Sequence, residues 1–342
     1  MIHSGQFADP SADKFRKQRF DGVDESADRP LIVQFCGNDP GTLVQAARHI
    51  EGRVDAVDLN LGCPQKIARR GDYGAFLLDR PELCERIVGT MSRELSVPVT
   101  VKIRCMENTQ ETLLFAKRLE AAGAQMLTVH GRTLRQSKTR QGAANWDIIR
   151  QVKEAVTIPV VANGGVETRA DVGRLLRATG ADAVMSSEAL LEDPSLFDNN
   201  LAPLDQLQGL KVAHRLLLLA SEYMELVQTF PPQMASVRGH LFKMLYRLLE
   251  CNHDLRAQLA HFSTGIPEAG EIVKEMCRRY FFDPVSMEPL LDSSEAPHVP
   301  ISTKSWYHRH RDDGGVNLTQ SANVVAGIRG FREQKRQVAP LL

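Results

Sequence analysis

The sequence predicts an α/β fold: a (β/α)8 barrel of the TIM type followed by a C-terminal α-helical domain. Three observations lead there. Short β-branched runs alternate with amphipathic stretches from Leu31 to about Leu196. Those runs are nearly continuous in apolar residues, as parallel strands covered by helices are. Polar residues collect at the carboxyl end of run after run, the edge where barrel enzymes carry their chemistry.

The strands read, in order, as 31–35 (LIVQF), 56–61 (AVDLNL), 99–104 (VTVKIR), 126–131 (MLTVHG), 159–164 (PVVANG) and 183–187 (AVMSS). Helical patterns fill the gaps at 41–52, 81–95, 109–124, 146–156 and 168–181, two of them ending in Gly-Ala as a helix C-cap does. A doubly wound open sheet is the alternative, but it would be expected to bring a Gly-rich dinucleotide turn with its first unit, and none precedes 31–35. Six strands are countable where a barrel needs eight. The deficit lies at the front, because 183–197 reads as a closing strand, a short helix and an exit to other structure.

Beyond about Leu204 the strand signal stops and helical periodicity takes over, as in 210–227 and 235–250. After residue 283 the chain is poor in periodicity, with one weak helical pattern at 323–337. The expected division is therefore a barrel over 1–200, a helical domain over 201–283 and a largely disordered tail over 284–342.

With 342 residues and a formal charge of +0, the chain carries no global field to attract nucleic acid, so such binding would rest on local basic patches. The six cysteines are scattered without a C-x-x-C pair, which disfavours zinc and iron–sulfur sites. No apolar stretch is long enough for a membrane span or follows a basic one as in a leader. No metal, no membrane association, a monomer and a cytoplasmic or nuclear location are expected.

Several motifs resemble those of the tRNA-dihydrouridine synthases, and within them the eukaryotic type that modifies positions 16 and 17 of the tRNA D-loop. They are QFCGNDP (34–40), DLNLGCPQKIARRGDYGAFLL (58–78), VTVKIR (99–104), TVHGRT (128–133), VVANGGV (160–166), VMSSEALLEDPSLF (184–197) and SVRGHLFKML (236–245). The resemblance covers roughly residues 1 to 262. It implies that FMN, re-reduced by NADPH, saturates the C5–C6 bond of a uridine. It implies further that Cys63 protonates C5 while flavin N5 delivers hydride to C6. A thiol suits that task, since its ordinary pKa of about 8.5 leaves it protonated at neutral pH.

The resemblance also puts Gln34 and Lys102 on the flavin ring and His130 near ring and uracil. Independently, a lone lysine inside an apolar strand needs a partner to offset its desolvation. Asn163, Gly164, Gly165, Ser187 and Glu188 are expected to receive the FMN phosphate through backbone N–H groups. Asn60 would hold the uracil, and Arg104, Arg132, Arg238, His240 and Lys243 would meet the substrate. Further basic residues on the same rim are Lys66, Arg69, Arg70, Arg135, Lys138 and Arg140, with Gly71 and Gly74 expected to let the Cys63 loop move.

The opening MIHSGQF resembles the tail of the family's second barrel strand. The expectation is a barrel lacking its first strand, first helix and most of the second strand, with FMN binding weakened by the open wall. Two other readings stay open: a catalytically inactive tRNA-binding relative, and a different flavin-dependent barrel oxidoreductase acting on a free small molecule. The basic helical domain speaks against the second of these.

Overall fold

The protein is described by a computed structural model that covers residues 1–20, 29–136, 142–261, 263–291 and 299–305. Seven strands form one sheet: β1 (Ile2–His3), β2 (Ile32–Cys36), β3 (Ala56–Leu61), β4 (Val99–Arg104), β5 (Met126–His130), β6 (Val160–Asn163) and β7 (Ala183–Met185). They lie side by side in sequence order and every pairing is parallel. That is the wall of a (β/α) barrel. Six of the strands fall where the pattern of β-branched runs puts them; the seventh is the two-residue β1, in the stretch read as a strand tail. Among the described residues β1 and β7 are the sheet's two edges.

Helices connect the strands. α1 (Ser4–Phe7) and α2 (Asp13–Phe20) follow β1, and α3 (Pro40–Arg48) follows β2; α4 (Lys66–Arg70) and α5 (Pro81–Glu94) follow β3. α6 (Thr109–Ala121), α7 (Trp146–Ala155), α8 (Arg169–Thr179) and α9 (Glu188–Glu192) follow the remaining strands in turn. Their starts are written in the sequence. Asp39, Asn108, Asn145 and Thr168 each accept a hydrogen bond from the first turn of the helix they precede, and Gly180 ends α8 in the left-handed region at φ 64°.

Alternation along the strands sorts the side chains between two faces. Phe35, Leu59, Val101, Leu127 and Val129 point toward the helices and join one core with Leu43, Ile87, Phe115 and Ile149. Gln34, Asp58, Asn60, Thr100, Lys102, Thr128 and His130 occupy the alternate positions. In register they stand beside one another, Gln34 opposite Asp58 opposite Thr100, and Asn60 opposite Lys102 opposite Thr128. The inner wall is therefore polar well below its carboxyl edge.

A second core belongs to α10 (Leu210–Thr229), α11 (Met234–Met244), α12 (Tyr246–Leu249), α13 (His253–Ala260) and α14 (Ile266–Arg279), with the antiparallel pair β8 (Phe282–Asp283) and β9 (Glu288–Pro289). Part of the stretch expected to be disordered is packed. Val299 and Ile301 lie against this second core, and the Tyr280 hydroxyl donates to the carbonyl of Pro300 at 2.8 Å. Apolar spacing did not reveal these residues because they are held by hydrogen bonds and two isolated side chains. The weak helical pattern at 323–337 lies outside the described residues.

The two cores meet at a buried carboxylate. Glu192, at the end of α9, is 6% exposed and receives Arg247 Nε from α12 at 3.2 Å and Ser305 Oγ at 2.6 Å. Replacing it leaves a half-buried guanidinium without its carboxylate. Glu192→Ala is expected to lower the unfolding free energy by about 2–4 kcal/mol, read from urea denaturation, with Glu192→Gln losing less.

Candidate active site

The site is built outward from Asp58. It sits mid-strand on the inner face of β3, 6% exposed, and accepts from Gln34 Nε2 at 2.8 Å and Thr100 Oγ1 at 2.6 Å. Burial pushes its carboxyl up from the ordinary range, while those two hydrogen bonds and the Lys102 charge pull the other way. Gln34 is fixed by this bond and uses its own oxygen to accept from Asn60 Nδ2 at 2.8 Å. The Asn60 oxygen then accepts from the backbone N–H groups of Gly62 at 3.1 Å and Cys63 at 2.9 Å. An Asn side chain closing a turn on its own backbone sets the direction in which the chain leaves the strand. Cys63 is the residue so placed.

From the other side Cys63 is braced by Gly74. This glycine has φ 69°, and a Cβ on it would lie 2.9 Å from the Cys63 carbonyl oxygen and 3.0 Å from its Cβ. Only glycine tolerates both the conformation and the contact at this position. Gly71 is likewise crowded, by the ring of Tyr73.

Facing this turn are the cations. Lys102 Nζ donates to Asn163 Oδ1 at 2.9 Å, and Asn163 Nδ2 donates to the Met185 carbonyl at 2.9 Å, tying β4, β6 and β7 together. Burial, and then the nearby Arg104, bring the Lys102 ammonium down to about 8 against the pull of Asp58. His130 is pressed further, to about 2, by burial first and then by Lys102, Arg104 and Arg132. It is a neutral imidazole, with Arg132 Nη1 3.3 Å from its Nε2. Gly164, at φ 106°, passes so close that a Cβ would lie 2.8 Å from His130 Cδ2, and its carbonyl accepts from Trp146 Nε1 at 3.0 Å.

Gln34, Asn60, Cys63, Lys102, Arg104, His130, Arg132, Asn163, Gly164 and Gly165 are thus brought together at the carboxyl edge of β2 to β6. Ser187 and Glu188 begin α9 just beyond β7, and the Glu188 charge reaches both Arg104 and Arg132. Some expected substrate contacts are turned inward instead. Arg104 and Arg132 are 7% and 6% exposed and donate to loop carbonyls, those of Gly62, Thr133 and Gln136 for Arg104 and that of Gly142 for Arg132. On α11, Arg238 donates to the carbonyls of His261 and Thr264, and the His240 ring is bonded to the Tyr223 hydroxyl at 2.8 Å. Lys243 lies on the same helix, which packs against α9. Lys66, Arg69 and Arg70 are exposed on α4; Arg135 is exposed beside Glu107; Lys138 and Arg140 lie outside the described residues.

Asp58, Thr100 and Trp146 were not singled out from sequence. Only the acid inside an apolar strand, two residues before Asn60, gave a signal.

The donor set has a chemical preference. Lys102 uses one of its three N–H donors on Asn163, and the site gathers Lys102, Arg104 and Arg132 beside the buried Asp58, with Glu188 acting on both arginines and Glu167 on Arg132. An anionic, oxygen-rich group fits such a face, and a cationic one does not. No group of three side chains able to hold a metal ion occurs among the described residues, nor does a helix long and apolar enough to cross a membrane.

Fold and site define a barrel protein that gathers a thiol, a desolvated lysine and a neutral histidine at the carboxyl edge of its strands. Residues 1–280 match the family described as Dihydrouridine synthase (Dus), and the chain belongs to that family. It is 43% identical over 253 residues to a tRNA-dihydrouridine(16/17) synthase [NAD(P)(+)]-like protein of Mus musculus, covering 73% of this chain and 51% of that one. With the tRNA-dihydrouridine(16/17) synthase [NAD(P)(+)] of Saccharomyces cerevisiae it shares 39% over 266 residues, 76% of this chain and 62% of that one. A human tRNA-dihydrouridine(20a/20b) synthase [NAD(P)+]-like protein is 37% identical over 173 residues, 50% of this chain and 54% of that one. The chain thus spans between half and two thirds of the length of these relatives.

The geometry has two measurable outcomes. Asp58→Ala leaves the Gln34 and Thr100 donors without an acceptor and is expected to cost about 3 kcal/mol in urea unfolding. His130 takes a proton in the unfolded chain below about pH 6.5, but in the fold only near 2. Its folded value is depressed, so stability is full above pH 6.5 and falls as the pH drops, by up to about 1.4 kcal/mol per unit. Urea titrations between pH 4 and 7 are expected to show that slope in the parent and a shallower one in His130→Asn.

Proposed function

We propose that the chain reduces uridine to 5,6-dihydrouridine in the D-loop of tRNA, at positions 16 and 17, with FMN as cofactor and NADPH as reductant. The observation that carries this is the chain of hydrogen bonds from Asp58 through Gln34 and Asn60 to the Cys63 backbone, which fixes the thiol-bearing turn at the strand edge where Lys102 and His130 also stand. Membership of the family and the names of the 16/17 relatives support the substrate and its position.

Gln34, Lys102, His130, Asn163, Gly164, Gly165, Ser187 and Glu188 would hold the FMN. The spare donors of Lys102 and the cationic face suit its oxygen-rich ring, and the N–H groups beyond β6 and β7 suit its phosphate. When bound and reduced, that group supplies the hydride.

The protein's own residues supply the rest. Asn60 offers the uracil edge the amide N–H that it does not give to Gln34. Cys63 holds the proton that C5 requires, at the end of a turn whose backbone is pinned on both sides. His130, neutral, presents a polar ring that adds no further positive charge to the pocket. Buried Arg104 and Arg132 order the loops that form the rim and keep it electropositive. Lys66, Arg69 and Arg70 on α4 meet the phosphate backbone while one base is turned into the site, and the α11 face with Lys243 bears on the tRNA body.

Nucleoside mass spectrometry tests this. In tRNA from cells lacking the gene, D-loop dihydrouridine is expected to disappear and to return with the wild-type gene. Cys63→Ala is expected to restore it at a rate about 10²–10⁴ lower. Unchanged dihydrouridine at every position on deletion would overturn the proposal.

A further inference from the structure

Two glycines follow β6 directly, and both stand in the left-handed region, Gly164 at φ 106° and Gly165 at φ 77°. Neither has a side chain to anchor it, so the direction of the peptide between them depends on what grips it from outside. Trp146 is that grip. It is the first residue of α7, half-buried with its ring against the main core, and its Nε1 donates to the Gly164 carbonyl at 3.0 Å. A Cβ on Gly165 would lie 3.1 Å from that nitrogen, and one on Gly164 would lie 3.1 Å from the Ala144 Cβ. The turn is therefore seated on the start of α7.

The indole is itself placed from the strands. Asn145 N–H donates to the Gly131 carbonyl at 2.6 Å, and Gly131 N–H donates to the Asn163 carbonyl at 3.1 Å, so the ends of β5 and β6 and the start of α7 are laced together. Gly131 permits this approach, because a Cβ on it would lie 2.6 Å from the Asn145 carbonyl oxygen.

In a trans peptide the carbonyl of one residue and the N–H of the next point in opposite directions. With the Gly164 carbonyl on the indole, the Gly165 N–H is turned away from Trp146, and among the described residues no acceptor meets it. The reverse orientation would set two donors face to face, since an indole N–H cannot accept. The geometry points to Trp146 as a positioning residue for a phosphate monoester: by holding the Gly164 carbonyl it presents the Gly165 N–H to the phosphate of the flavin. The inference rests on the proposed FMN and adds the residue that makes this turn selective for its phosphate. A free glycine pair samples many peptide orientations, and fixing one beforehand leaves less to be ordered when the anion arrives.

The test compares the affinity of the full chain, freed of flavin, for FMN and for riboflavin, which lacks the phosphate, by titration of flavin fluorescence. Trp146→Phe keeps an aromatic ring on the core and removes the N–H. It is expected to weaken FMN about tenfold and to leave riboflavin unchanged. Unchanged FMN affinity in Trp146→Phe, or an equal loss for both flavins, would overturn the inference and leave FMN as the cofactor. A parent chain that holds FMN no more tightly than riboflavin would overturn both. The titration does not read the chemistry at Cys63, so the dihydrouridine assay stands or falls separately.

Discussion

One buried carboxylate organises the carboxyl edge of this sheet. Asp58 has almost no contact with water, so it is tolerable only if donors meet it from both neighbouring strands. Gln34 and Thr100 are those donors, and they stand at the register positions directly beside it. Satisfying the charge and setting the register are therefore one event: a slip by one residue would bury the carboxylate against apolar side chains and turn Gln34 toward the helices. The successive hydrogen bonds that lead to the thiol inherit that precision. Gln34, its amide nitrogen turned to Asp58, presents its oxygen to Asn60, and the Asn60 oxygen turns to the backbone ahead of Cys63.

The opposite wall works by excess charge rather than by neutrality. Lys102, Arg104 and Arg132 lie within reach of His130, and their mutual repulsion in a dry setting is resolved by keeping the imidazole neutral and lowering the affinity of Lys102 for its proton. The protein meets part of this charge itself, with Asn163 on Lys102 and loop carbonyls on Arg104 and Arg132. What cost of desolvation remains is offset when an anionic ligand binds, which is how a site comes to prefer one charge type. Glu188, at the start of α9, moderates the two arginines from the far rim.

Much of the barrel could be read from the chain because it is periodic. Six of the strands, the capped helices after them and the lysine interrupting VTVKIR all follow from spacing of two or 3.6 residues and from the cost of burying an ammonium. The thiol turn was legible through a motif. The reasons behind these features were not, because they depend on partners distant in the chain. Gly74 reads as a hinge until Cys63 is seen against it. Asp58 reads as part of a strand until Gln34 and Thr100 arrive from its two neighbours. Arg238 and His240 look like a basic surface in sequence, yet the first caps the turn between α13 and α14 and the second answers a tyrosine on α10. A basic residue in a helix does not declare whether its head group faces water or a carbonyl.

The junction of the two cores bears on the same site. α9 is five residues long, with Glu188 at one end among the cations of the barrel and Glu192 at the other between Arg247 and Ser305. A helix this short cannot bend, so the helical domain's attachment at Glu192 and the barrel rim at Glu188 move as one piece. The segment around Ser305 is fixed in turn by Ser302 N–H on the Arg247 carbonyl and by Pro300 on Tyr280. The angle between the two cores is thus held at α9 by a buried carboxylate, Glu192, through its bonds to Arg247 and Ser305.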